Sequence, residues 1–339
     1  MPCALPAFRM ARRHHEGEGG GGGARRRIHL VVLLLICVTC GAVYLVCSPV
    51  LRNPFEKELS SSSSEKKKKT MVVGSLDDKE SCCHGAEGTE LWGEAVNWGP
   101  HLILNSSYQC CTACKANSKC NSWVFCGDRD KCAAKYGECW LKVQEDLLAP
   151  QVQDTGPHVA WTSGLIYREG TGVIELETEH GVVHIQLMPD CAPRSVAYII
   201  ELLRLRHCSD CVLYRAEGRG EFWDAQGNHV SKTAFGPPYA VLQGILAAQG
   251  VPLKDIPMEA RLQVKRGMVG WVEGGPDFFI SLANHKEWYP RYTIFGSVLE
   301  KNMTLIEELA SLSTVPSIWS GVKVGVLKKR ISFNLRKPS

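Results

Sequence analysis

The sequence predicts a membrane-anchored, multi-domain chain in which a small disulfide-rich α+β module precedes a mainly-β closed barrel with two capping helices. Three observations carry this expectation: an apolar stretch near the N-terminus, nine cysteines crowded between residues 82 and 139, and a succession of short apolar runs over roughly the last 170 residues.

Residues 28–47 form the apolar stretch, with His29 as its only ionisable group. About 20 such residues span a bilayer as a helix. A cleaved signal peptide has a short basic start, whereas residues 1–27 precede this stretch, so it reads as a transmembrane signal anchor. Arg9, Arg12, Arg13, Arg25, Arg26 and Arg27 lie before it, against Arg52, Lys57, Lys66 and Lys67 just after it. The positive-inside rule then makes residues 1–27 a cytosolic basic tail and puts the C-terminus in the lumen. This is the topology of a single-pass type II membrane protein of the Golgi or another secretory-pathway compartment. The net charge is +4, and outside the tail basic and acidic side chains are equal in number. The positive excess is thus a topology signal, and nothing supports nucleic-acid binding. Residues 48–77 include Ser60 to Ser64 and Lys66 to Lys69, offer little to pack, and read as a flexible stalk.

The next segment, residues 78–150, holds Cys82, Cys83, Cys110, Cys111, Cys114, Cys120, Cys126, Cys132 and Cys139. So many cysteines in so short a span indicate a domain too poor in core to fold without staples, in an oxidising compartment. The spacings lack two separated C-x-x-C knuckles, which favours disulfides over zinc. Trp92, Trp98 and Trp123 offer either a sugar-stacking surface or ordinary core. Cys191, Cys208 and Cys211 lie further on, so each half of the chain holds an odd number. Either one disulfide joins the halves or each keeps one free thiol. Cys208 and Cys211 sit in a loop leading into a strand, not at the helix start expected of a thioredoxin-type motif.

From residue 165 to 335 the pattern changes. Residues 173–187 alternate as two β-branched strands about a His180-Gly181 turn. Pro193 suits a first helical turn, followed by Val196, Ile199, Ile200 and Leu203 at helical spacing. Residues 268–271, 278–282 and 293–299 read as strands and residues 306–312 as a second helix. Residues 322–327 and 331–333 read as closing strands. This order of elements suggests a closed antiparallel barrel capped by helices.

Two families are visible in these residues. Cys110, Cys111, Cys114, Cys120 and Trp123, followed by Cys139-Trp140-Leu141-Lys142, resemble the PAN/apple-like fold. That resemblance implies a module binding proteins or carbohydrates. Leu213-Tyr214-Arg215, Gln243-Gly244, Asp277-Phe278-Phe279-Ile280 and Glu287-Trp288 resemble, in order, the motifs of the cyclophilin-type peptidyl-prolyl cis-trans isomerases. The resemblance implies that Arg215 is catalytic and contacts the substrate prolyl group, with Gln243, Phe279 and Trp288 in the substrate pocket. Where that family carries a Phe-Met pair this chain has Ala240 and Val241, with Tyr239 as a substitute aromatic wall. The family's pocket histidine falls at Tyr292. Roughly 20 extra residues separate Arg215 from Gln243, a length more often functional or disordered than structural.

Rotation about an X-Pro bond must overcome about 18–20 kcal/mol of amide resonance. No bond is made or broken, so the chemistry calls for no nucleophile, metal or cofactor. A guanidinium donating to the prolyl nitrogen as it pyramidalises favours the twisted state over both planar ones. The implied partners are proline-containing secretory or membrane proteins, with glycans as a further ligand of the cysteine module. The rival reading is a non-catalytic protein- or carbohydrate-binding membrane protein that keeps the barrel as a scaffold. Asn105-Ser-Ser and Asn302-Met-Thr are acceptor sequons for a glycoprotein with a lumenal C-terminus.

Overall fold

The computed structural model describes residues 82–338, apart from 206–207, 209–210, 249–255 and 260–261. These all belong to the second of two compact units, Gly74–Ser339. The expected basic tail, anchor and stalk lie outside the described residues. Among those described, no helix is long and apolar enough to cross a membrane.

In the cysteine module, helix α1 (Ser107–Ala116) starts where Ser106 Oγ accepts the Gln109 N–H, while Gln109 Oε1 accepts the Asn105 N–H. Its inner face is Cys110, Cys111 and Cys114. Strands β1 (Ala86–Glu87), β3 (Glu94–Asn97), β4 (Ser122–Cys126), β5 (Cys139–Val143) and β7 (Trp161–Leu165) form one sheet in the order β1-β7-β4-β5-β3. A small pair, β2 (Thr89–Leu91) and β6 (Val152–Thr155), stands beside it. The module therefore runs past its expected end at residue 150, because β7 pairs along the whole of β4. A one-turn helix, α2 (Arg129–Cys132), is capped by Asp128.

The core of this module is made largely of its own disulfides, packed around Trp123, Phe125 and Leu141. Cys83 is bonded to Cys111, Cys110 to Cys139, Cys114 to Cys120 and Cys126 to Cys132. The ninth cysteine, Cys82, is bonded to Cys191, so the odd count is resolved by a link between the two halves. Cys208 and Cys211 are bonded to each other. Arg168 adds a second tie: its Nη2 lies within hydrogen-bond distance of the carbonyls of Cys114, Lys115, Asn117 and Cys120, at 3.3, 3.3, 2.7 and 3.2 Å. It thus occupies the C-terminal end of α1, where unpaired carbonyls collect.

The expected hairpin is present as β8 (Val173–Thr178) and β9 (Gly181–Leu187), with Thr178 facing Gly181 across the turn. Helix α3 (Pro193–Arg204) begins on Pro193 and buries Val196, Ile199 and Ile200. Then follow β10 (Val212–Glu217), β11 (Val241–Ile245), β12 (Met268–Trp271), β13 (Asp277–Ser281) and β14 (Ile294–Val298). Helix α4 (Met303–Ala310) starts earlier than expected, since Met303 is already buried beneath the barrel. The two expected closing strands are one, β16 (Val322–Arg336), and a strand not expected from the sequence, β15 (Thr314–Trp319), pairs with it. The sheet order is β10-β11-β13-β12-β14-β9-β8-β16-β15, and β10 also pairs with β16. Eight antiparallel strands therefore close a barrel, with β15 as an extra edge strand. Ile174, Ile185, Leu242, Trp271, Phe278 and Phe295 fill its interior.

Residues 216–238, the extra segment, are folded onto the barrel. Trp223 is buried, and Asp224 Oδ1 accepts the backbone N–H groups of Gln226 and Asn228 in a tight turn. Arg219 pairs with Glu307 of α4.

Candidate functional site

Arg215 on β10, Gln243 on β11 and Phe279 on β13 are directly paired positions across three neighbouring antiparallel strands. Paired residues share a face of the sheet, so three of the motifs converge by strand register alone. A break in that register between Leu213 and Arg215 marks a bulge, a device that re-aims a side chain next to a site. Val241, two residues before Gln243, falls on the same face. These side chains line a cavity of about 320 Å³ together with Tyr239, Val272, Trp288, Tyr292, Trp319, Val322 and Val324. Every sequence-predicted pocket residue is therefore at one concavity.

The apolar side of the cavity is aromatic. Phe279 stands edge-on to Trp288, at 5.5 Å between ring centroids, and to Tyr292, at 5.2 Å. Trp288 and Tyr292 meet at 5.5 Å. Such edge-to-face contacts fix ring orientation as well as burying area. Gly270 faces Phe279 on the next strand, where an added Cβ would come within 2.9 Å of its ring. Burial raises the pKa of the Tyr292 hydroxyl. Behind the rim, the fully buried His285 stacks on Trp288 at 3.7 Å and pairs through Nδ1 with Glu287.

The polar side is a chain of hydrogen bonds. Arg215 Nη1 donates to Gln243 Oε1 at 3.0 Å, Gln243 Nε2 donates to the Tyr214 hydroxyl at 2.6 Å, and that hydroxyl donates to Asp277 at 2.6 Å. Burial, reinforced by Asp277, raises the pKa of Tyr214, so its phenol stays a neutral donor. Arg215 Nε donates to Glu217 at 2.8 Å. Nη2 has no hydrogen-bond partner among the described residues. Two rings lie against the guanidinium, Tyr239 at 5.7 Å and Trp319 at 5.4 Å from Cζ to centroid. The arrangement can hold an apolar ring among Phe279, Trp288 and Tyr292 while presenting a fixed, oriented cation to a carbonyl or amide beside it.

The sequence reading missed Glu217, Val272, Trp319, Val322 and Val324. The last three come from the β15–β16 hairpin, whose two-residue turn Ser320-Gly321 is left-handed at both positions, with φ of 48° and 83°. Ser-Gly after Trp319 was the signal available. Of the extra segment and its end, Tyr239 alone reaches this cavity; Pro237 and Pro238 line a second one of about 510 Å³ on the far side of Val324.

In the cysteine module, Trp123 is core at 0% exposure, while Trp92 and Trp98 are 55% and 58% exposed. Trp98 packs on Trp140, and Lys142 Nζ lies 6.0 and 5.9 Å from the rings of Trp92 and Trp140. Of the two sequons, Asn105 is exposed. Asn302 is held by the fold, its Nδ2 donating to Val182 O and its Oδ1 accepting the His184 N–H.

Residues 173–327 match the family model of the cyclophilin type peptidyl-prolyl cis-trans isomerases, and residues 89–142 match that of the PAN domain. The chain thus resembles a PAN domain followed by a cyclophilin-type domain. Two solved structures of a cyclophilin type peptidyl-prolyl cis-trans isomerase from Cryptosporidium parvum are similar. One, determined in the presence of the dipeptide Ala-Pro, is 13% identical, with 47% of this chain and 98% of that chain covered at a TM-score of 0.30. The other is 14% identical, with 48% and 96% covered, also at 0.30. Comparison with curated proteins gave no match.

Proposed function

We propose that the cyclophilin-type domain isomerises, or binds in a proline-dependent way, X-Pro segments of secretory or membrane proteins, in a chain anchored as a type II membrane protein with a lumenal C-terminus. One observation carries this reading: Arg215, Gln243, Phe279 and Trp288 line one cavity, and Nη2 of Arg215 has no hydrogen-bond partner among the described residues. The proline ring sits on Phe279. Nη2 donates to the prolyl nitrogen as the amide twists, a bond stronger in the twisted state than in either planar one. Gln243 keeps the guanidinium from turning away. The apolar stretch at residues 28–47, the paired cysteines and the exposed Asn105 support a lumenal location of the Golgi or another secretory compartment.

The test is the isomerisation rate of an Ala-Pro peptide with the full-length chain and its Arg215→Ala variant. The expected loss on substitution is about 10²-fold or more, the effect of removing an oriented charge-stabilising donor. A folded protein with the same rate before and after the substitution would overturn the isomerase reading.

A second reading, recognition by the PAN domain with the barrel as scaffold, is favoured by the exposure of Trp92 and Trp98. Their exposed indoles offer flat apolar faces to a sugar or a protein surface. Binding of oligosaccharides that is lost in Trp92→Ala and Trp98→Ala, yet kept in Arg215→Ala, would support it.

A further inference from the structure

Glu217 has no place in the mechanism above, yet it is a carboxylate only 5% exposed that lines the second cavity and bonds to Arg215. A buried carboxylate is costly unless its oxygens are fully engaged. Here they are. Oε1 accepts Arg215 Nε at 2.8 Å and the Gly325 N–H at 3.2 Å; Oε2 accepts the Tyr239 N–H at 2.7 Å. These three donors come from three different walls of the site: β10, the end of the extra segment, and β16. The close approach of β16 needs Gly325, because a Cβ there would come within 2.7 Å of Ala216 O.

We propose, resting on the isomerase reading, that Glu217 is a positioning residue that fixes the Arg215 guanidinium and locks it to the Tyr239 wall and the β15–β16 hairpin. Arg215 and Glu217 are two apart on one strand and point to the same face. Glu217 holds Nε and Gln243 holds Nη1, so rotation about the last side-chain bonds is stopped from two sides and Nη2 is left without a hydrogen-bond partner among the described residues. The same carboxylate orders the Tyr239 backbone, whose ring lies against that guanidinium. Donor orientation and aromatic wall thus share one anchor.

Glu217→Gln removes the charge and one acceptor at nearly constant volume. In the full-length protein it is expected to lower kcat on an Ala-Pro peptide about 10-fold and to change KM by less than about 3-fold, since the proline floor is untouched. In the Arg215→Ala background the same substitution is expected to change kcat by less than 2-fold, because a residue acting through Arg215 has nothing left to act on. A merely structural residue would cost the same factor in both backgrounds, and that result would overturn the proposal. A second measurement needs no Glu217 variant. The Arg215 Nε–H proton, identified by its absence from Arg215→Lys, is expected to be protected from solvent exchange in the unmodified protein. The two readings fail separately: a wild-type rate no faster than the uncatalysed peptide overturns the isomerase reading, whereas Nε–H exchange at the solvent rate overturns the role of Glu217 whatever the isomerase rate.

Discussion

The Trp319 indole stands against the Arg215 guanidinium, its centroid 5.4 Å from Cζ, so the tip of the last hairpin closes one side of a cavity whose motif residues come from β10 to β14. A ring over a partly desolvated cation contributes about 0.5–2 kcal/mol. Trp319→Ala is therefore expected to lower kcat/KM on an X-Pro peptide by about 2- to 30-fold, and Trp319→Phe, which keeps a ring, by less. Trp319 is partly exposed, so the barrel should remain folded, as circular dichroism would verify. An unchanged kcat/KM in Trp319→Ala would mean that the indole only decorates the rim.

Arg168 yields a stability prediction. Its guanidinium meets four carbonyls at the end of α1 from the linker that leads into the barrel. Hydrogen bonds involving a charged donor contribute about 1.5–3 kcal/mol. Arg168→Ala is expected to cost about that much for the PAN domain, read as a lower urea midpoint by tryptophan fluorescence, since Trp123 lies in its core. Arg168→Lys, with a single ammonium in place of a planar fork, should recover only part of the loss. A midpoint equal to wild type in Arg168→Ala would show that water replaces the side chain without cost.

The barrel was legible because its signals are local. Residues 173–187 alternate with period two about a turn, and Pro193 opens a helix, so β8, β9 and α3 fall where expected. The site was legible because the motif residues occupy paired strand positions, which register then brings together. What escaped is non-local. β15 carries Pro316 and Ser317, poor strand residues that an edge tolerates, and Ser320-Gly321 is the one local sign that it pairs with β16. Trp319 reaches Arg215, and Gly325 reaches Glu217, only once β16 has closed the barrel. The PAN sheet likewise takes β7 from beyond the last cysteine, where no motif marks it. The bond between Cys82 and Cys191 chose between two alternatives that cysteine parity had left open.

His285 makes the cavity rim sensitive to acid. It is fully buried, stacked on Trp288 and in edge contact with Trp223. Burial lowers its proton affinity below the ordinary value of 6.5, and the opposing pull of Glu287 and of the Tyr239 backbone does not offset this. The unfolded chain therefore takes up the proton at a higher pH than the folded one does. Stability from this group is complete above about pH 6.5 and is lost as pH falls below it, since the unfolded state then binds more protons. The urea midpoint of the full-length protein is expected to decline between pH 7 and pH 5, and His285→Phe, which keeps a ring against Trp288 but cannot titrate, should flatten part of that decline. Because the same ring supports Trp288 at the cavity wall, binding of an X-Pro peptide should weaken over the same interval in wild type and less so in His285→Phe. An equal pH slope in the two proteins would assign the acid sensitivity to other groups and leave His285 as a packing residue alone.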